Sequence, residues 1–251
     1  NNINANDNGL INSVAIELEK IIIFPDMISP IFITNDKNLT AVIKAQEKKQ
    51  TIVALIKKEE AQDSNAFLGT GIEIAVGSLL EMPDGSHSAL VQGRRRMKIL
   101  STFEENGISF TEAEAIIGTK KKLNNQERAL INTTKTLFES VVQLDRSIPD
   151  EANMHINSIT MPGLLADMIC TAISLPYLKR AEILEMYDEI KGLMFVHKFL
   201  KPELDILNIE EEIRFNVQKE VDQSQRDFYL REQVKAINLE LGEGDIWEEE
   251  I

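Results

Sequence analysis

Histidine, cysteine, serine and carboxylate side chains carry most protein chemistry, and this 251-residue chain scatters them. His87, His155 and His197 stand alone and share no ligand-like spacing with the single cysteine, Cys170, so no metal site is indicated. Cys170 ends the apolar run Leu164-Leu165-Ala166-Asp167-Met168-Ile169-Cys170, which predicts burial as a small hydrophobe rather than reactivity. No Gly-Lys dipeptide occurs, hence no Gly-x4-Gly-Lys-Ser/Thr loop to cradle nucleotide phosphates. Gly-x-Ser-x-Gly and Ser-x-x-Lys are missing too, and with them the usual settings of an activated serine. Glu210-Glu211-Glu212 and Glu248-Glu249-Glu250 read as solvated carboxylates. The chain by itself is expected to catalyse nothing and to hold no cofactor or metal.

Charge narrows the partners. Of the net −14, residues 202–251 contribute −10, with five Lys/Arg against fifteen Asp/Glu, and an acidic segment repels a phosphate backbone. Arg94-Arg95-Arg96 and Lys120-Lys121-Lys122 lack interleaved aromatics and read as solvated faces or ion pairs rather than nucleic-acid contacts. No apolar run reaches the roughly 18 residues that span a bilayer. The first nine residues lack the basic and apolar regions of a signal peptide. A soluble, cytoplasmic chain is expected.

The elements that must position these residues fall into a sheet-forming part and two helical ones. Residues 1–13 read as a disordered leader. From 14 to 118 the pattern predicts strands at 21–24, 31–33, 51–57, 71–82, 89–93, 97–102 and 108–115, with one helix capped by Asp36 and carrying Leu39, Val42 and Ile43 on a face. Pro83-Asp84-Gly85 predicts a hairpin turn, because proline presets one dihedral and glycine accepts positive φ. A mostly antiparallel sheet closed into a small barrel protects its own edges. Residues 119–201 predict a helical bundle, with a stripe of Leu130, Thr134, Leu137, Val141 and Leu144 and helices divided at Pro149, Pro162 and Pro176. Residues 202–242 predict a linking helix, with Ile206, Ile209 and Ile213 starting a seam that Val217, Val221, Ser224 and Phe228 continue after a shift. Polar residues at the in-phase positions Asn216, Glu220, Gln223 and Asp227 break a strict coiled coil. A helix longer than about 35 residues spans roughly 50 Å. An acidic tail, 243–251, follows. The fold class is therefore α+β.

Several stretches carry a resemblance. SQRDFYLREQVKAINLELGE, from Ser224 onward, closely resembles the segment joining the amino-terminal region of Lon, the ATP-dependent AAA+ serine protease, to its motor. IIFPDMISPIFI, from Ile22 to Ile33, is similar to that family's hydrophobic run into FP-x-M-x-x-P-L-F. The strand from Thr70, the Pro-Asp-Gly turn and the return strand to Gly93-Arg94-Arg95-Arg96 look like its second signature, and Met161-Pro162-Gly163-Leu164-Leu165-Ala166-Asp167 and Ala181-Glu182-Ile183-Leu184-Glu185-Met186-Tyr187-Asp188 resemble its helical subdomain. Two places depart: Ile16-Glu17-Leu18-Glu19 replaces a leading Leu-Pro-Leu-Arg, and Lys191-Gly192 replaces an Arg-Leu, which predicts a bend or close packing at Gly192.

The resemblance implies a PUA-like LON β-barrel followed by a helical bundle and a long helix. It also implies the substrate-recognition and assembly region of a homohexameric protease that degrades misfolded, damaged and short-lived regulatory proteins in quality control and stress response. ATP and magnesium would belong to a motor that the chain does not contain; the chain reads as an excised amino-terminal fragment, alone a monomer or weak dimer. Unfolded proteins are held by exposed apolar patches, for which Phe24, Met27, Ile28, Phe32, Met82 and Pro83 in the barrel and Phe228 and Tyr229 on the rod are the candidates. A PUA-like ligand or nucleic-acid reader is the alternative, but the barrel has no tryptophan for an aromatic cage, Trp247 lying in the acidic tail. A purely structural hexamer-assembly module is the third reading.

Overall fold

Alternating apolar and polar residues become a six-stranded sheet in the computed structural model, which describes residues 10–58, 66–118, 122–173 and 175–241. The elements of the first part are β1 (Leu10–Leu18), β2 (Ile28–Ile33), α1 (Asp36–Lys48), β3 (Ile52–Ile56), β4 (Thr70–Glu81), β5 (His87–Glu105) and β6 (Ile108–Ala115). The sheet runs β2-β5-β4-β3-β1-β6, and β5 pairs again with β6, which closes it. Closure depends on the 19 residues of β5: residues 87–92 pair with β2, and 97–105 with β6. β3 is buried at every position, as a strand covered on both faces must be. Its Ile52, Ala54 and Ile56 enter the main core, while Val53 and Leu55 join a smaller one with Ile11, Ala15, Met97 and Ala113.

Several local expectations are corrected. Residues 10–13, placed in a leader, begin β1 and pair with residues 111–114 of β6; the polar Asn12 and Ser13 mask an alternation in which Ile11, Ser13 and Ala15 face inward. The expected strands at 89–93 and 97–102 are one strand, continuous through Arg94, which is the extra residue between the pairs Ile74–Gly93 and Glu73–Arg95. Residues 21–24, expected as a strand, form no ladder. Their apolarity reflects burial alone: the Ile22 carbonyl accepts from Arg180 at 2.7 Å, and the chain then crosses β5 at Gly93, where a Cβ would lie 2.1 Å from the Phe24 carbonyl oxygen. Helix α1 is capped by Asn35 rather than Asp36. It buries Asn38, Ala41, Val42 and Ala45 and leaves Ile43 exposed, because the Asn38 amide bonds both backbone groups of Glu17, at 3.0 and 2.8 Å. The hairpin turn forms as expected, with Gly85 at φ +80° and the Asp84 carboxylate accepting from the Ser86 N–H and hydroxyl.

The helices are α2 (Asn125–Leu144), α3 (Asp150–Ser158), α4 (Pro162–Ala172), α5 (Tyr177–Leu184) and α6 (Glu189–Glu240). Pro149, Pro162 and Pro176 stand at helix starts, where a missing N–H costs nothing. In α2 the buried stripe is Ile131, Thr134, Phe138, Val141 and Val142, so Leu130, Leu137 and Leu144 flank it. Cys170 is fully buried, and burial raises its thiol well above the usual range. The linking helix starts at Glu189 rather than 202 and runs through Pro202 for 52 residues, about 78 Å at 1.5 Å per residue. Its first turns bury Leu193, Val196 and Leu200, so the bundle and the rod share one helix, and that packing outweighs the roughly 3 kcal/mol helix penalty of proline. A Cβ at Gly192 would meet nothing within 4 Å, so close packing does not account for this glycine.

Barrel and bundle are joined by buried polar groups. Asp167 of α4 accepts from Arg96 Nη1 and Nη2 of β5 at 2.9 and 2.6 Å, and Arg96 Nε donates to the Leu184 carbonyl at 3.1 Å. Phe24 lies beneath two guanidinium groups, those of Arg96 and Arg180, each 5.9 Å from the ring centroid. Tyr177 donates to the Lys57 carbonyl, and Tyr187 bonds Thr70 at 3.0 Å. One apolar cluster passes through this joint without a break, from Ile16 and Ile72 in the barrel to Phe138, Leu165 and Leu193 in the bundle.

Arg96→Ala strands the buried Asp167 carboxyl and is expected to cost about 3 kcal/mol in urea unfolding followed by circular dichroism. Arg96→Lys recovers only part of that loss, since one ammonium cannot reproduce the two-toothed contact. Gly192→Ala is expected to raise stability by about 0.5–1 kcal/mol in the same assay.

Candidate functional site

Strand alternation sends every second side chain of β2, β4 and β5 to the outside of the barrel. On β2 these are Ile28, Pro30 and Phe32, on β5 Leu90, and on β4 Leu80. The register assembles them: Phe32 lies opposite Ser88, which lies opposite Leu80, and Pro30 lies opposite Leu90. Side chains directly opposite one another stand about 5 Å apart. Ile28 is 63% exposed, and Phe32 and Leu80 are 60% exposed, so the apolar groups form a row on the surface instead of a core. Met82 and Pro83, in the hairpin that joins β4 to β5, extend the row and are exposed as well. No charged residue occurs within β2.

The structure thus brings Ile28, Phe32, Met82 and Pro83 to one side of the barrel and adds Leu80 and Leu90, which the sequence reading did not name. A signal for both was present: the Pro-Asp-Gly turn sets the pairing of its flanking strands, and counting outward from it in steps of two reaches Leu80 and Leu90. Two candidates are corrected. Phe24 is fully buried at the joint, which leaves it no surface for a partner. Met27 is half-buried, with its sulfur accepting from the Thr171 hydroxyl at 3.0 Å, and so belongs to the joint. Phe228 and Tyr229 are exposed on the rod, about 40 Å along the helix axis from Leu200, the last buried residue. Along the rod Ile206, Ile209, Ile213, Val217 and Val221 are exposed too.

A second feature is a cleft of about 190 Å³ between barrel and bundle, lined among others by Asp26, Arg94, Met161, Tyr187 and Glu189, with the Arg96–Asp167 pair in its wall. Burial pushes the Asp167 carboxyl up to about 6, against the pull of Arg96, and the nearby Glu189 and Asp26 add to the push. The basic run is consumed by structure. Arg95 donates to the buried Glu73 carboxylate, which also accepts from Thr51 at 2.6 Å, and Arg96 holds Asp167; Arg94 alone is exposed. Lys120 and Lys121 lie outside the described residues, as do the leader through residue 9, Trp247 and the acidic tail. Among the described residues, no group of three or more His, Cys, Asp or Glu is placed to hold a metal ion, and no helix is long and apolar enough to cross a membrane. His197 bonds Thr134 at 3.0 Å inside the bundle.

Comparison with known proteins gives the family and the fold. The family described as the ATP-dependent protease La (LON) substrate-binding domain matches residues 14–202. A Lon protease of Buchnera aphidicola subsp. Baizongia pistaciae is 33% identical over 231 residues, which are 91% of this chain and 30% of that protein. The Lon protease of Escherichia coli K12 is 31% identical over 231 residues, 91% of this chain and 29% of that protein. The chain therefore spans about 30% of the length of these relatives. Among solved structures, the N-terminal domain of a Mycobacterium avium complex Lon protease superposes with a TM-score of 0.62 at 21% identity, covering 75% of this chain and 97% of that one. A Lon N-terminal domain protein from Xanthomonas campestris gives 0.54 at 14% identity, covering 73% and 95%. At these identities the two structures speak to the fold alone.

The raised carboxyl of Asp167 sets a pH dependence with a definite sign. The folded chain binds this proton more tightly than the unfolded chain, whose carboxyl titrates near 3.8, so between about pH 6 and pH 4 this group adds stability as pH falls. The difference in unfolding free energy between the parent and Asp167→Asn is expected to be flat above pH 6 and to shift in favour of the parent below it, as read from urea midpoints at each pH.

Proposed function

The chain belongs to the Lon family, whose substrate-binding domain it contains, and from that premise we propose that the outer face of its sheet captures unfolded or damaged proteins for an ATP-dependent serine protease. The observation that carries this reading is the row of Ile28, Phe32, Leu80, Met82 and Leu90, apolar and exposed together. A protein that keeps such a row in water loses the stabilisation of burying it, at about 25 cal/mol per Å². A partner with exposed apolar side chains recovers that term on binding. Specificity for sequence is low because the contact is non-directional, and the flexible Met82 side chain adapts to different shapes. Folded proteins, with their apolar groups inside, offer the face little.

The rod has a separate task in this reading. Its exposed Ile206, Ile209, Ile213, Val217 and Val221 form a seam for neighbouring subunits in a homohexamer, and Phe228 and Tyr229 lie further along for substrate or subunit packing. Alone, the chain is a monomer or weak dimer. The proteolytic serine, and the ATP and magnesium that drive translocation, belong to other domains of the protease, because no phosphate-cradling loop exists in this sequence to fit the nucleotide. The working place is the cytoplasm, in quality control and stress response.

The test is a titration of the 251-residue chain with reduced, carboxymethylated α-lactalbumin, followed by fluorescence anisotropy. Replacing Phe32, Leu80 and Met82 together by serine is expected to weaken binding about tenfold or more, since three exposed apolar contacts are lost, with the thermal unfolding midpoint held. Undiminished affinity at unchanged stability would show that capture occurs elsewhere, and a matching loss in a Phe228→Ser, Tyr229→Ser variant would move it to the rod.

A further inference from the structure

The apolar face ends at a strand that, among the described residues, has one neighbour. There β2 pairs with β5, and two observations fix which of its backbone groups that pairing uses. Gly93 gives its N–H to the Met27 carbonyl at 2.8 Å and accepts the Asp26 N–H at 3.0 Å. Stepping back by twos along β5, Val91 and Ala89 also direct their backbone at β2 and exchange hydrogen bonds with Ser29 and Ile31, their partners in register. The Leu90 carbonyl points the other way, toward β4, where it lies 3.0 Å from where a Cβ of Gly77 would be. The backbone groups of Ile28, Pro30 and Phe32 are therefore turned to the free edge. Outside the ladder, and among the described residues, no backbone hydrogen bond is seen at Ile28 or Phe32, and the Pro30 carbonyl accepts the Ser29 hydroxyl at 3.3 Å.

Free edges are usually blunted by charge or by a bulge. This one has no charged residue in Ile28–Ile33 and no register shift in its ladder; its single concession is Pro30, which lacks one donor. The three residues that present open backbone groups are the same three whose side chains lie on the apolar face. We propose that an extended segment of an unfolded polypeptide adds to β2 as a further strand, hydrogen-bonding Ile28, Pro30 and Phe32 and laying alternate side chains beside theirs. The ligand class is then a chain with apolar residues at every second position over about five residues, whatever their identity. Backbone bonding supplies affinity without reading sequence, and alternation supplies the selection. This rests on the capture face proposed above and says how that face is used.

A probe that keeps side chains and removes backbone donors tests it. A capped nonapeptide alternating valine and threonine, flanked by single glutamates, is titrated against the 251-residue chain, whose net charge of −14 opposes binding. Two further peptides carry N-methyl groups on three successive valines or on three successive threonines. Loss of hydrogen bonds in one set is expected to weaken binding about tenfold or more, while the other set binds within about twofold of the parent. Amide exchange at Ile28 and Phe32 slows when the parent peptide binds. Equal binding by all three peptides would leave the capture face standing and overturn strand addition, as would binding of carboxymethylated α-lactalbumin without binding of the parent peptide. Protection of Ile28 and Phe32 amides before any peptide is added, with a dimer in sedimentation, would assign the edge to a second copy and overturn it too. If neither peptide nor unfolded protein binds, the capture reading itself fails.

Discussion

Asp167 is a carboxyl buried between a barrel and a helical bundle, and its need for a partner organises the joint. A charge in that position is tolerated only when paired and hydrogen-bonded, and Arg96 meets it with both terminal nitrogens while its third donor reaches the Leu184 carbonyl. That geometry ties β5 to α4 and α5 at once. The same guanidinium covers the Phe24 ring from one position and Arg180 from another, so the apolar segment 22–24 is held by cations and not by a ladder. The pair adds less net stability than its short bonds suggest, because desolvation offsets much of the attraction. Few relative placements of barrel and bundle satisfy all of these donors.

With the joint fixed, the barrel has a buried side and a free side. Ala89, Val91, Ile31 and Ile33 point inward from the strands that present Phe32 and Leu90 outward, so the exposed row stands on a packed layer. In the proposed reading, a face on a packed layer loses little freedom on binding, and the ordering cost falls on an unfolded partner. The rod follows a different logic. Leu193, Val196 and Leu200 anchor α6 in the bundle, and beyond them its apolar side chains are open to solvent.

Much of this was readable from residue order, and the errors have physical causes. The turn at Asp84-Gly85 and the helix starts at Pro149, Pro162 and Pro176 follow from local backbone chemistry, and they stand where the sequence placed them. At residues 21–24 the apolar run predicts a strand where the structure has no ladder, because hydrophobicity reports burial without reporting what the backbone bonds to. The buried face of α1 differs from the apolar pattern because Asn38 turns inward to bond Glu17, a polar contact no hydropathy pattern contains. Of the site, Ile28, Phe32, Met82 and Pro83 were legible as apolar or turn residues, yet nothing local separated them from Phe24, which is apolar in the same run and fully buried.

The sequence by itself determined the fold class, the family, the hairpin, the long amphipathic rod and the missing nucleotide and serine motifs, because each depends on residues close together in the chain. The tertiary structure alone decided that Leu80 and Leu90 join Phe32 through strand register, that Arg95 and Arg96 are spent on Glu73 and Asp167, and that β2, among the described residues, is paired along one edge. These are relations between residues tens of positions apart, set when β5 chose its partners and the bundle closed against it. No local pattern encodes which of two apolar side chains in one short segment will face water.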